Sequence, residues 1–154
     1  MKTNLLALLF LFFISCSDDN QAVDYVSLND EEIQDYLAEN NLQAEKSASG
    51  LYYIIDSEGA GAQPTSADQV RVAYKGYFTN GNVFDQSPSE GISFNLQQVI
   101  SGWTEGITYF KEGGSGLLFV PAHLGYGSQD YRGIPGGSVL IFEINLMEVN
   151  GGSN

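Results

Sequence analysis

From residue 50 onward the chain is a series of short apolar or alternating segments separated by glycine. In the last of these, residues 139–149, the side chains of Leu140, Phe142, Ile144 and Leu146 recur at every second position, as on one face of a β-strand. Further strands are predicted at residues 51–56, 70–78, 83–85, 92–95 and 116–120. A helical pattern covers only residues 97–110. The sequence therefore predicts an α+β fold, in which an antiparallel sheet of five or six strands wraps around one short helix.

A short acidic arm precedes this region at residues 29–49. Asn29 and Glu32 have the spacing of a helix cap, and Ile33, Tyr36 and Leu37 fall on one helical face. Residues 17–45 carry nine acidic side chains and no basic one. A solvated helical spacer is favoured over a docking helix, and both interpretations stay open.

The first 15 residues have the pattern of a secretory signal. Lys2 precedes an unbroken apolar run of ten residues, 5–14, which is too short to span a bilayer. The sole cysteine, Cys16, follows in a segment that resembles a bacterial lipobox. We expect Cys16 to be lipidated and residues 16–28 to form a tether. Because Ser17 stands where an aspartate would favour the inner membrane, the expected location is the cell envelope, at the outer membrane on either face.

Charge and composition exclude several classes of protein. A formal net charge of −13 argues against binding to nucleic acid, which needs a basic surface. One cysteine and one histidine exclude a disulfide framework and a multi-histidine metal site. An apolar content of 43% is sufficient for a folded core.

The motifs of common catalytic sites are also missing from the sequence. There is no phosphate-binding loop and no nucleophile elbow, and His123, the sole candidate base, is expected at the surface. No cofactor or metal is expected. Any catalysis would depend on shape, desolvation and hydrogen bonds.

Five motifs in order give the sequence a specific resemblance. They are VAYKGY followed by NGNVFDQS (residues 72–87), VISGWTEG (99–106), LGYG (124–127), IP (134–135) and LIFEI (140–144). This series resembles the FKBP-type peptidyl-prolyl cis-trans isomerases over residues 50–149, and we predict an isomerase domain at residues 50–150. The layout with an N-terminal lipobox is similar to that of lipoprotein members in Bacteroidetes, including those associated with gliding motility.

The resemblance implies an apolar pocket for a proline ring. It implies that Trp103 forms the floor of this pocket, with Phe94 as a core residue below it and Asp85 at the rim. It also implies two hydrogen-bond donors to the ligand, the Tyr126 hydroxyl, which bonds to the ligand carbonyl, and the Ile100 N–H. The residues implied in catalysis are Tyr74, Phe84, Asp85, Trp103, Tyr126 and Phe142, and those implied in substrate binding are Ile92, Val99, Ile100, Tyr131 and Ile134.

Three departures from the family pattern concern this pocket. Ile92 stands at a wall position that is often aromatic, and Gly136 replaces a second proline. The flap between Gly127 and Gly133 aligns only with a gap, so that either Tyr131 or Arg132 corresponds to a flap residue.

The resemblance implies isomerisation of Xaa-Pro bonds, in this setting in secreted or envelope proteins, and binding of macrolides of the rapamycin type. An alternative is a low-turnover binding subunit of envelope or motility machinery that uses the same pocket. A third, less favoured interpretation is a small β domain that binds a lipid or another small ligand. Turnover of an Xaa-Pro peptide distinguishes the first from the others.

Overall fold

A single antiparallel sheet organises the fold in a computed structural model that describes residues 22–150. Its elements are α1 (Tyr25–Glu39), β1 (Glu45–Lys46), β2 (Tyr52–Ser57), β3 (Gln69–Tyr77), β4 (Val83–Gln86), β5 (Ile92–Asn95), α2 (Ser101–Gly106), β6 (Ser115–Val120) and β7 (Leu140–Asn150). The strand order is β1-β2-β6-β7-β3-β4, and β5 also pairs with β3. The predicted α+β class is confirmed.

The strand predictions are correct to within one residue at each end. The strand that they miss, β1, has two residues and therefore no alternation to detect. The helical pattern over residues 97–110 is a six-residue helix, α2, between two 3₁₀ turns. Two glycines let α2 lie against β6, because a Cβ on Gly106 would come within 2.8 Å of Leu118 and one on Gly102 would meet Val120.

The inner face of the sheet forms the main core around α2. As predicted, Leu140, Phe142, Ile144 and Leu146 of β7 all belong to it, together with Trp103 of α2. These side chains are at most 4% exposed. The core thus holds α2 at a defined distance from β7, and the candidate site lies between the two.

Helix α1 begins five residues earlier than the sequence pattern predicts. The cap is Asp24, whose carboxylate accepts hydrogen bonds from the backbone N–H groups of Val26 and Ser27. Asn29 lies inside the helix and is buried. Its predicted role as the cap is therefore wrong, and residues 25–28 of the predicted tether are helical.

The acidic arm docks on the body of its own chain. Ile33 and Leu37 are 0% and 8% exposed and pack on Tyr52, Phe119 and Ile141, which lie on the outer face of the sheet. The favoured interpretation of a partnerless spacer is therefore wrong. A signal was present in the sequence: adjacent apolar residues on β7 indicate a strand covered on both faces.

The predicted signal sequence, the Cys16 lipidation site and residues 16–21 of the tether lie outside the described residues. Within residues 22–150, no helix is long and apolar enough to cross a membrane.

Candidate active site

A cavity of about 430 Å³ opens between the sheet, α2 and the loop that joins β6 to β7. It is lined mainly by aromatic and aliphatic side chains that come from six separate parts of the chain. The lining residues are Tyr74, Phe84, Asp85, Phe94, Gln98, Val99, Ile100, Trp103, Tyr126, Tyr131 and Phe142. Concave sites of this kind, with few polar groups, are typical of small-ligand binding.

The indole of Trp103 is the centre of the aromatic cluster. Three rings meet it edge-to-face, with centroid distances of 5.1 Å to Tyr74, 5.2 Å to Phe94 and 5.3 Å to Phe142. Such edge contacts fix the orientation of each ring. The indole Nε1 is buried and has no hydrogen-bond partner among the described residues. A buried donor without a partner costs about 1–3 kcal/mol and is rare in native proteins, where a functional role is one explanation for it.

A tyrosine and a carboxylate form a polar pair in this apolar wall. The Tyr74 hydroxyl donates to Asp85 Oδ2 at 2.6 Å. Burial, and then the hydrogen bond and charge of Asp85, raise the pKa of Tyr74 far above its ordinary value. The pair therefore holds a neutral hydroxyl against the exposed Asp85 carboxylate and leaves the phenyl ring of Tyr74 facing the cavity.

The start of α2 contributes a backbone donor. Ile100 precedes the helix as its N-cap residue, and its carbonyl accepts from the N–H groups of Trp103 and Thr104. The backbone hydrogen bonds of residues 22–150 leave the Ile100 N–H without a protein acceptor. This group is therefore available to a bound ligand.

The loop between β6 and β7 places two stacked tyrosines beside the cavity. The Tyr126 and Tyr131 rings are 4.9 Å apart and 11° from parallel. Tyr131 and Ile134 exchange both backbone hydrogen bonds across the turn formed by Arg132 and Gly133, which both have positive φ. The Tyr126 hydroxyl is without a hydrogen-bond partner within residues 22–150. Burial, then Tyr131 and Asp85, raise its pKa, so it stays a protonated donor.

Three larger grooves are more open to solvent and are lined by more polar side chains; one of them, of about 470 Å³, runs along α1 and includes Glu31 and Asp35. A second, of about 570 Å³, lies on the outer sheet face and includes Lys75 and Glu143. Another, of about 540 Å³, is lined by Thr65, Ser101 and Glu105 among others. Within residues 22–150 no cluster of His, Cys, Asp or Glu could hold a metal ion. The aromatic cavity is therefore the strongest candidate site.

Comparison with known proteins identifies the family. Residues 61–147, more than half of the chain, match the sequence profile of the FKBP-type peptidyl-prolyl cis-trans isomerases. The chain belongs to this family. The part matched runs from before β3 to the end region of β7, and so contains every element that lines the aromatic cavity.

Similar proteins with curated sequences and solved structures agree with this assignment. The FKBP-type isomerase FkpA of Buchnera aphidicola subsp. Baizongia pistaciae is 44% identical over 108 residues, which are 69% of this chain and 43% of the relative. The crystal structure of FkpA from Escherichia coli superimposes with a TM-score of 0.74 at 35% identity, over 83% of this chain and 62% of that one. A peptidyl-prolyl isomerase from Pseudomonas syringae pv. tomato gives 0.70 at 27% identity, over 81% and 96%. The chain spans less than half the length of the curated relatives it matches.

The isomerase fold brings together nine of the eleven site residues that the sequence predicts. The nine are Tyr74, Phe84, Asp85, Val99, Ile100, Trp103, Tyr126, Tyr131 and Phe142. Their convergence on one cavity agrees with the pocket that the resemblance implies. Their individual roles in binding and catalysis stay predictions.

Two predicted substrate-binding residues lie elsewhere. Ile92 is 38% exposed at the start of β5, where it pairs with Val72, and does not line the cavity. Ile134 is 9% exposed and is packed in the core beneath the loop. Phe94, predicted as a core residue below the pocket, lines the cavity itself. Ile92 and Phe94 share one face of β5, but only Phe94 reaches Trp103.

Gln98 also lines the cavity and was missed by the sequence prediction. It is the last residue of a 3₁₀ turn, Leu96–Gln98, that the helical pattern over residues 97–110 concealed. Its position next to Val99, a predicted wall residue, is the one signal in the sequence that could have indicated it.

Proposed function

We propose that this chain is a peptidyl-prolyl cis-trans isomerase that binds Xaa-Pro segments in the aromatic cavity. The observation that carries this proposal is the enclosure of Trp103 by three aromatic rings beside two unused hydrogen-bond donors, the Tyr126 hydroxyl and the Ile100 N–H. The cavity combines an aromatic and aliphatic lining, suited to a proline ring, with donors suited to the flanking amide oxygens.

An apolar cavity lowers the barrier to rotation by removing water from the amide. Resonance places negative charge on the amide oxygen and positive charge on nitrogen, and gives a barrier of about 18–20 kcal/mol. Water stabilises this charge separation, which is smaller in the twisted amide. Desolvation against Trp103, Phe94 and Phe142 therefore favours the twisted form, and a 10⁴-fold acceleration requires about 5.5 kcal/mol.

Hydrogen bonds from the protein would hold the flanking carbonyls while the bond rotates. The Tyr126 hydroxyl and the Ile100 N–H are the two donors that would bind these carbonyls. Tyr74 is already committed to Asp85. No proton is transferred and no covalent bond to the protein forms in this mechanism.

The test is cis-trans exchange of a Leu-Pro peptide measured by NMR, with residues 17–154 as the enzyme. We expect exchange well above the uncatalysed rate, inhibition by rapamycin, and loss of both in a Trp103→Leu/Phe142→Leu variant. The control variant is Tyr53→Phe, which removes a hydroxyl that bonds to Glu45. We expect this variant to keep the wild-type activity. A folded wild-type protein without exchange would overturn the proposal and favour the low-turnover binding subunit.

The cellular setting is part of the proposal. The lipobox-like segment ending at Cys16 supports an isomerase anchored in the cell envelope, at the outer membrane, with secreted or envelope proteins as substrates. Helix α1 starts at Tyr25, so that only residues 17–24 would separate the lipid from the folded part. The catalytic cavity would therefore act close to the membrane surface.

Mass spectrometry of the protein purified from membranes tests the anchor. We expect an acylated N-terminal cysteine and partition into detergent. The matched variant Cys16→Ala should lack the lipid and leave the membrane fraction. A protein cleaved after another residue, or one without acyl chains, would contradict the proposed anchor while leaving the isomerase proposal intact.

A further inference from the structure

One cation at the cavity differs from all the others in the described part of the chain. Residues 22–150 contain five lysine and arginine side chains. Four of them pair with a carboxylate: Lys46 with Asp30, Arg71 with Glu148, Lys75 with Glu143 and Lys111 with Glu58. Arg132 has no carboxylate of residues 22–150 within ion-pairing distance, although the sequence has 19 acidic side chains for six basic ones.

Arg132 lies on the loop that borders the cavity. Its guanidinium carbon is 5.4 Å from the centroid of the Tyr131 ring, which lines the cavity and stacks on Tyr126. The contact of a guanidinium with an aromatic face orients the cation without neutralising it. Arg132 is exposed, so its charge remains available to a ligand.

The backbone at Arg132 is unusual as well. Arg132 has a φ of +46°, in the left-handed region that favours glycine or asparagine. A non-glycine residue in this region is strained, and such residues concentrate at functional sites. The two hydrogen bonds between Tyr131 and Ile134, and the bond from the Gly136 N–H to Asp130 Oδ1, hold the turn in this conformation.

We propose that Arg132 forms a subsite for an acidic side chain next to the proline of the substrate. The inference rests on the proposed isomerase function and specifies its substrate class: Xaa-Pro segments with aspartate or glutamate directly before or after the proline. The guanidinium lies over the Tyr131 ring, which stacks on Tyr126 and lines the cavity, so the charge stands at the edge of the cavity where a residue that flanks a bound proline would lie.

Nearby carboxylates leave this subsite open. Asp130 is engaged with the Gly136 N–H, and Asp85 accepts from Tyr74 on the β4 side of the cavity. The positive charge of Arg132 also acts on a residue that lines the cavity. Burial, Tyr131 and Asp85 raise the pKa of Tyr126, and the charge of Arg132 lowers it.

Matched peptides test the subsite. Exchange is measured by NMR for Ala-Glu-Pro-Phe against Ala-Gln-Pro-Phe, and for Ala-Leu-Pro-Glu against Ala-Leu-Pro-Gln, in about 20 mM salt. In at least one pair we expect the glutamate peptide to have a kcat/KM about two- to fivefold higher, the range of an exposed ion pair. In 1 M salt, where the screening length is about 3 Å, the ratio should approach one.

Variants of Arg132 test whether its side chain causes the preference for glutamate peptides. Arg132→Gln should bring the ratio to one, and Arg132→Lys should retain part of it. Lys111→Gln removes the same charge from a lysine that pairs with Glu58 and lines no part of the cavity, so it should retain both activity and preference. Equal rates in both pairs for the wild type, or a preference that survives Arg132→Gln, would overturn the inference.

The inference can fail separately from the isomerase proposal. If the wild type exchanges a Leu-Pro peptide but shows no glutamate preference, the subsite is wrong and the isomerase stands. If no peptide is exchanged, the isomerase proposal fails, and chemical-shift titration with the same peptide pairs still decides whether Arg132 binds the acidic side chain.

Discussion

At the scale of single residues, the shape of the cavity depends on the absence of a side chain at Gly76. This buried residue of β3 lies behind the aromatic wall, where a Cβ would be 2.6 Å from Phe84 Cζ and 3.0 Å from Phe142 Cε1. The two rings also meet edge-to-face at 5.6 Å. Gly76 therefore sets how far the Phe84 ring projects into the cavity.

We expect Gly76→Ala to lower kcat/KM for a Leu-Pro peptide by tenfold or more, since the added methyl group displaces the Phe84 ring toward the cavity. Overpacking should also reduce the free energy of unfolding by about 1–3 kcal/mol. Urea unfolding and NMR exchange measure the two effects. In the double variant Gly76→Ala/Phe84→Leu the smaller side chain relieves the clash, so the loss in free energy of unfolding should be less than the sum of the losses in the two single variants. A loss equal to that sum would contradict this explanation.

Removal of the Tyr126 hydroxyl tests the proposed mechanism at a single residue. Tyr126→Phe should lower kcat/KM about five- to tenfold, equivalent to one hydrogen bond of about 1–1.4 kcal/mol in the transition state. Its stability should be unchanged, since the hydroxyl bonds to no protein atom within residues 22–150. A normal rate would show that this hydroxyl does not contribute.

At the scale of elements, α1 controls the loop that carries the two tyrosines. Asn29 is 2% exposed; its Nδ2 donates to the Gly137 carbonyl at 2.9 Å, and its Oδ1 accepts from the Ala122 N–H at 2.8 Å. These two positions bracket the loop. Tyr25 packs on Gly137, where any Cβ would overlap its ring. The first turns of α1 therefore hold both ends of the tyrosine loop against the helix.

Asn29→Leu should reduce the free energy of unfolding by about 2–4 kcal/mol, because it leaves a buried N–H and a buried carbonyl without partners. It should also lower kcat/KM at a temperature where the variant is folded, since the ends of the loop lose their restraint. Glu39→Gln, at an exposed position of the same helix, should change stability by less than about 0.5 kcal/mol. Equal stabilities of the two variants in urea would contradict this role of Asn29.

At the scale of the whole molecule, the tyrosines determine the response to alkaline pH. Burial is the main cause that raises the pKa of Tyr74, Tyr77 and Tyr126 above the ordinary 10.0, and neighbouring side chains add to it. Burial and the neighbouring Glu105 raise the pKa of Tyr109 to about 12. The folded protein therefore retains these protons where the unfolded chain releases them. Their contribution to stability is complete below pH 10 and is lost as pH rises through the folded pKa values.

We accordingly expect kcat/KM to be constant between about pH 7 and 9, because Tyr74 and Tyr126 remain neutral donors throughout. The free energy of unfolding should fall between about pH 10 and 12. NMR exchange and urea unfolding at several pH values measure both trends. A change in turnover between pH 7 and 9 would assign a titrating group to the mechanism and contradict the model of desolvation with neutral donors.

What could be predicted from the sequence follows from local rules. Alternation of apolar residues has the period of a strand, so β7 and its inward side chains Leu140, Phe142, Ile144 and Leu146 were found without a structure. The family motifs added Tyr74, Trp103 and most of the other residues that line the cavity, but not Gln98. Tyr74, Phe84, Trp103 and Phe142 lie on strands and on α2, whose positions in the fold restrict each side chain to one face.

The tertiary structure alone decided what depends on a second surface. The stripe of Ile33 and Leu37 indicated an amphipathic helix but not its partner, because burial required the free outer face of β2, β6 and β7. Ile92 and Phe94 were equivalent by alternation, and only the distance to Trp103 separated them. Likewise, the charge on Arg132 was visible in the sequence, but its lack of a partner was not, because ion pairing depends on which carboxylates the fold brings near.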